Sequence, residues 1–96
     1  DIFLYDMITN TTSQLTFTNY DEWDPSFSTD GKYVVYAGNP DENFDLYLLN
    51  VSTTEIVQLT KSIGDEWDPV FDPGGKKILY AGEYGLVSGI YEMQLY

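Results

Sequence analysis

The chain has 96 residues, 43% apolar and 17% aromatic, which is enough ring and aliphatic surface for a modest core. Its 16 acidic residues against four Lys and no Arg give a net charge of −12, which repels phosphate backbones and excludes nucleic acid as a partner. Cysteine and histidine are absent, which removes disulfides, thiolate metal sites, the commonest general base and the commonest zinc ligand.

No apolar run, such as Tyr33 to Ala37 or Ile78 to Ala81, approaches the roughly 20 residues of a bilayer-spanning helix, so no membrane insertion is expected. The first residue is Asp1, without Met or a charged-then-apolar leader. The expectation is therefore a processed chain or a piece of a longer one.

In chain order, Asp1 to Met7 reads as a strand, and residues 1–16 as the last two strands of a unit. Residues 22 to 28, 32 to 38, 45 to 51 and 55 to 60 read as four more strands, rich in β-branched and aromatic residues and bounded by turn chemistry. Asp30-Gly31 supplies the positive φ of a tight hairpin, Ser52-Thr53-Thr54 the next turn, and Pro73-Gly74-Gly75 a turn in the second half. Residues 61–96 read as three further strands, the last from Ile90 to Tyr96.

A shift of 44 residues lays the chain on itself. It aligns Asp1 with Asp45, "QLT" at 14 to 16 with "QLT" at 58 to 60, "DEWDPSF" at 21 to 27 with "DEWDPVF" at 65 to 71, and "YAG" at 36 to 38 with "YAG" at 80 to 82. Four antiparallel strands in such a repeat are the mark of a β-propeller blade. The fold class expected is therefore all-β, with residues 17–60 a complete blade, 1–16 the end of a preceding blade and 61–96 the first three strands of the next. Pro25 and Pro69 fit an innermost strand, because proline cannot donate to a ladder and keeps to edges and strand starts.

The segment from Asp21 to Thr60 resembles the TolB-type propeller repeat: Pro25, Ser28, Asp30, Gly31, Lys32, Asp45, Leu46, Tyr47, Leu59 and Thr60 fall on its pattern, as do Pro69, Pro73, Gly75 and Lys76 in the second copy. Phe27 and Phe71 stand where Trp is usual, Thr29 where Pro is, and Gly74 where Asp is. The resemblance implies propeller blades and an exported setting: periplasmic, cell-surface or extracellular. It implies no activity, since propellers host many.

Within the repeated phrase, a period of two sends Trp23, Pro25 and Phe27 to one side. Trp23, Phe27, Trp67 and Phe71 are expected as mostly buried wedges between blades, the other reading being an aromatic platform for a sugar or peptide. Asp21, Glu22, Asp24, Asp65, Glu66 and Asp68 are a weak Ca²⁺ candidate, since hard cations take clustered oxygens; local turn capping is the competing role, and no cofactor is otherwise expected. Two carboxylates can hydrolyse glycosides, but these acids recur in equivalent surroundings and lack the split that an acid and a base require. Asn10 and Asn50 head the two glycosylation triplets.

The function expected is a non-catalytic interaction or scaffold module. Its partners are other blades, supplied by a longer parent chain or by neighbouring copies, together with a protein at the channel or a blade edge. Two other readings remain open: a propeller accompanying a peptidase or polysaccharide lyase in a longer chain, and a structural subunit of an extracellular ring or filament.

Overall fold

The structure is a computed structural model that describes residues 1–95. The last expected strand residue, Tyr96, lies outside the described residues. Three antiparallel sheets follow one another along the chain. The first pairs β1 (Phe3–Asp6) with β2 (Thr11–Gln14). The second is a meander of β3 (Glu22–Phe27), β4 (Tyr33–Asp41), β5 (Asn43–Asn50) and β6 (Ile56–Gln58). The third holds β7 (Asp65–Phe71), β8 (Lys77–Tyr84) and β9 (Val87–Gln94). Among the described residues no helix is long and apolar enough to cross a membrane.

Turn chemistry sets these hairpins. Gly31 (φ +74°) closes the β3–β4 turn by donating its N–H to the Ser28 carbonyl at 3.0 Å, and Gly75 (φ +71°) donates to the Asp72 carbonyl at 2.9 Å in the β7–β8 turn. Asp30 Oδ1 accepts from the Ser28 hydroxyl and the Lys32 N–H, while Asp72 Oδ1 accepts from the N–H groups of Lys76 and Lys77. These bonds favour the ionised form and hold both carboxyls below their usual range. At the same end of the sheets, Asp6 and Asn50 fold matching turns by accepting two backbone N–H groups each.

The core lies between sheets. Val34, Tyr36, Tyr47 and Leu49 share one face of the second sheet and pack against Ile2 and Leu15 of the first. The opposite face carries Val35, Ala37 and Leu46, each fully buried, and β7 crosses β3, β4 and β5. Cross-strand tyrosine pairs repeat with the sequence: Tyr36 stacks on Tyr47 with centroids 5.7 Å apart, and Tyr80 on Tyr91 at 5.9 Å.

The fourth strand is shorter than the sequence pattern suggests. β6 ends at Gln58, because the Thr60 hydroxyl, rather than a ladder carbonyl, accepts the Leu46 N–H at 2.9 Å. That hydroxyl then serves the junction with the next sheet.

Candidate functional site

The repeated phrase forms β3 and β7, the first strand of the second and third sheets. Each is broken by a β-bulge, between Trp23 and Ser26 and between Trp67 and Val70. Asp24 and Asp68 sit in the bulges with φ of 58° and 52°, a conformation that short polar residues tolerate. The extra residue breaks the period of two. Trp23 pairs opposite Ala37, and Phe27 opposite Val34, so the two rings point to opposite faces of the sheet. Trp67 opposite Ala81 and Phe71 opposite Ile78 repeat this split. The expectation of rings on one side is thereby corrected, and its cause is the Asp-Pro bulge.

Burial is also lower than expected. Trp23 is 57% exposed and Phe27 51%, while Trp67 and Phe71 are half-buried. Phe27 faces only the β1–β2 pair, across a cavity lined by Ile2, Leu4, Leu15 and Pro25, so no first strand stands opposite it among the described residues. Trp23 and Trp67 line one open cavity of about 290 Å³ with Asp24, Ala37 and Phe44. Phe71 lies at the other end of the third sheet, beside Thr29 and Lys76.

The six acidic candidates separate into three roles, and among the described residues they form no group of three or more placed to share one ion. Asp24 and Asp68 meet at the bulges, where the Asp68 N–H donates to Asp24 Oδ2 at 3.2 Å. Burial and the neighbouring Asp24 carboxylate raise the Asp68 pKa. Asp21 is exposed, whereas Asp65 accepts the Phe44 N–H at 2.8 Å and so ties β7 to the start of β5.

Glu22 and Glu66 are buried and latch one sheet to the next. At the first junction the Ile2 N–H donates to the Thr16 hydroxyl at 2.8 Å, and that hydroxyl donates to Glu22 Oε1 at 2.6 Å. At the second junction Leu46, Thr60 and Glu66 repeat the chain of bonds. Asp1 and Asp45 complete the joint by accepting the N–H groups of Thr18 and Ser62 in the connecting loops. This explains why "QLT" and "DEW" recur together: the Thr of one phrase is the hydrogen-bond partner of the Glu in the other.

The two junctions differ in one detail. Tyr84 donates its hydroxyl to Glu66 Oε2 at 2.5 Å and lays its ring over Gly82. The first copy has Pro40 at the Tyr84 position, and there the ring over Gly38 belongs to Tyr20, whose own repeat equivalent is Gly64. Among the described residues the Tyr36 hydroxyl and Glu22 Oε2 are buried without a well-formed hydrogen bond. Burial, reinforced by the Glu22 charge, keeps Tyr36 protonated far above the usual tyrosine range.

Of the glycosylation candidates, Asn10 is exposed in the β1–β2 turn at φ 57°. Asn50 is half-buried, and its Oδ1 accepts the N–H groups of Ser52 and Thr53.

Sheets stacked face to face, each passing the chain from its outermost strand to the first strand of the next, define β-propeller blades. Solved structures place these blades among those of one kind of propeller. TolB from Acinetobacter baumannii is 28% identical, with a TM-score of 0.83 over 96% of this chain and 23% of that one. A chain described as TolB from Agrobacterium tumefaciens superposes with a TM-score of 0.90 over 99% of this chain and 37% of that one; at 18% identity it shows the fold alone. No family model matches the sequence, and no curated protein does. The chain has the TolB-type propeller fold, as the resemblance in the repeat implied.

Proposed function

We infer that the chain is a non-catalytic protein-interaction module of a TolB-type propeller, working in the periplasm or cell envelope. The TolB-like fold supports the interaction role and the setting. The observation that carries the reading is the surface made by the two bulges. Trp23 is more than half exposed there, and Asp24 and Asp68 stand beside it, in a chain of net charge −12. Such a surface suits a partner segment that brings Lys or Arg to the carboxylates and apolar or cation–π contact to the rings.

Trp23 and Trp67 are the chain's two tryptophans and share that cavity, so their fluorescence reports on it. Titration with a short Lys-rich peptide is expected to shift or quench the emission saturably, weakening with added salt. A Glu-rich peptide of equal length is expected to do nothing. Asp24→Asn with Asp68→Asn is expected to abolish the response. Equal responses to both peptides, or none to either, would overturn the reading.

A further inference from the structure

The two most exposed large apolar side chains among the described residues belong to neighbouring loops, at the end of the blades opposite the Gly31 and Gly75 turns. Ile63, between β6 and β7, and Leu86, at the tip of the β8–β9 hairpin, are both fully exposed. Asn43 Nδ2 holds the carbonyls on either side of Ile63, donating to Ser62 at 2.8 Å and to Gly64 at 2.9 Å, so the loop presents this side chain to solvent in a fixed position. Gly64 packs against the Glu83 carbonyl and the Tyr84 ring, which brings the turn that follows, Gly85-Leu86, beside the same loop. Gly85, at φ +67°, makes the tight turn that carries Leu86 outward. Glu42, the repeat equivalent of Leu86, is exposed although the loop and the third sheet that follow it are in place, so this turn position faces solvent in a blade with a following neighbour.

Acidic residues frame the pair. Asp41, Glu42 and Glu83 are exposed on the strand ends and turn that flank it, against one cation, Lys61, in the loop itself. A fixed aliphatic pair inside an acidic rim marks an interaction surface, and the rim selects what can cover it. A second copy at net charge −12 and an anionic lipid surface are both repelled. We propose that Ile63 and Leu86 are the paired anchors of a docking surface for a basic amphipathic segment of a protein partner, with its aliphatic side chains on the two tips and its Lys or Arg groups on Glu42 and Glu83.

Exposure alone does not single out this pair. Met7 and Ile8, in the β1–β2 turn at the other end of the sheets, are nearly as exposed, but the carboxylate beside them, Asp6, is turned inward to accept the Ile8 and Thr9 N–H groups. They offer the apolar half of such a surface without the acidic half. The proposal rests on the interaction-module reading but not on the bulge carboxylates, so the titration above and the test below fail independently.

The probe is a fluorescein-labelled helical peptide with Leu along one face and Lys on the other, and fluorescence anisotropy is the readout. Saturable binding to the whole chain is expected, weakening with added salt. Ile63→Ser with Leu86→Ser is expected to weaken binding about tenfold or more. Its circular dichroism spectrum and melting temperature should stay unchanged, since neither side chain is packed against the fold. Two controls, Met7→Ser with Ile8→Ser and Asp24→Asn with Asp68→Asn, are expected to leave the affinity within about threefold. Glu42→Gln with Glu83→Gln is expected to weaken binding and flatten its salt dependence. Vesicles of phosphatidylcholine with phosphatidylglycerol are expected to leave the chain in solution. A wild-type chain that does not bind the peptide, an affinity unchanged by Ile63→Ser with Leu86→Ser, an equal loss in either control, or vesicle binding that the same two substitutions abolish would overturn the proposal.

Discussion

Glu66 shows how one buried acid couples packing to pH. Its side chain is enclosed at the second junction, and burial raises its pKa; the Thr60 and Tyr84 hydroxyls, which favour the charged form, oppose that rise without cancelling it. For an acid whose folded pKa is raised, the stabilisation is complete below the ordinary carboxylate range and is lost as pH climbs through the raised value. Asp6, Asp30 and Asp72 act in the opposite sense. Their lowered values stabilise the fold above the ordinary range, and that contribution disappears as pH falls through them. The melting temperature is therefore expected to rise from about pH 7 to about pH 5 and to fall at stronger acid. Because acidification also relieves the general repulsion of a −12 chain, the comparison is with Glu66→Gln, whose melting temperature should rise less over the same interval. An identical rise in both proteins would remove Glu66 from the account. In the sequence the two glutamates looked like two more carboxylates of an acidic cluster. The missing clue was the Thr of "QLT" a fixed distance ahead, which gives each one a private partner.

At the scale of the elements, the blade junctions tolerate one exchange. Tyr20 with Pro40 in the first copy and Gly64 with Tyr84 in the second are two ways of laying a ring over the Gly of "YAG". A Cβ at Gly64 would lie 2.0 Å from the Glu83 carbonyl oxygen and 2.8 Å from Tyr84 Cδ1, so Gly64→Tyr alone is expected to cost about 3 kcal/mol or more. Tyr84→Pro alone removes both the ring and the Glu66 hydrogen bond. The double variant re-creates the first-copy arrangement and is expected to recover about 1 to 3 kcal/mol relative to the sum of the singles, as read from denaturant midpoints. Strict additivity would show that the rings do not substitute for each other. The strands themselves were largely legible, because β-branched and aromatic runs between Asp-Gly, Ser-Thr-Thr and Pro-Gly-Gly turns leave little choice of element. The direction of the rings on β3 and β7 was not. A period of two holds only while the ladder is regular, and Pro25 and Pro69, which cannot donate, mark where it slips.

For the whole molecule, the repeat carried the architecture, since two copies of one phrase fold into two equivalent strands placed side by side. What the repeat could not convey was how open the inner faces are, because burial of Trp23 and Phe27 depends on what stands opposite them and not on their own sequence. Positions 44 residues apart fall on equivalent sites of successive blades, and at the bulges Asp24 and Asp68 are in direct contact. The chain has no cysteine, so Asp24→Cys with Asp68→Cys introduces the only two thiols. Treating the folded double variant with a short thiol-to-thiol cross-linker at high dilution, and reading the product by denaturing gel and mass, tests the placement. A single intramolecular link is expected in high yield in the folded protein and in low yield after denaturation. A folded protein whose two thiols react only singly, or only between chains, would contradict it.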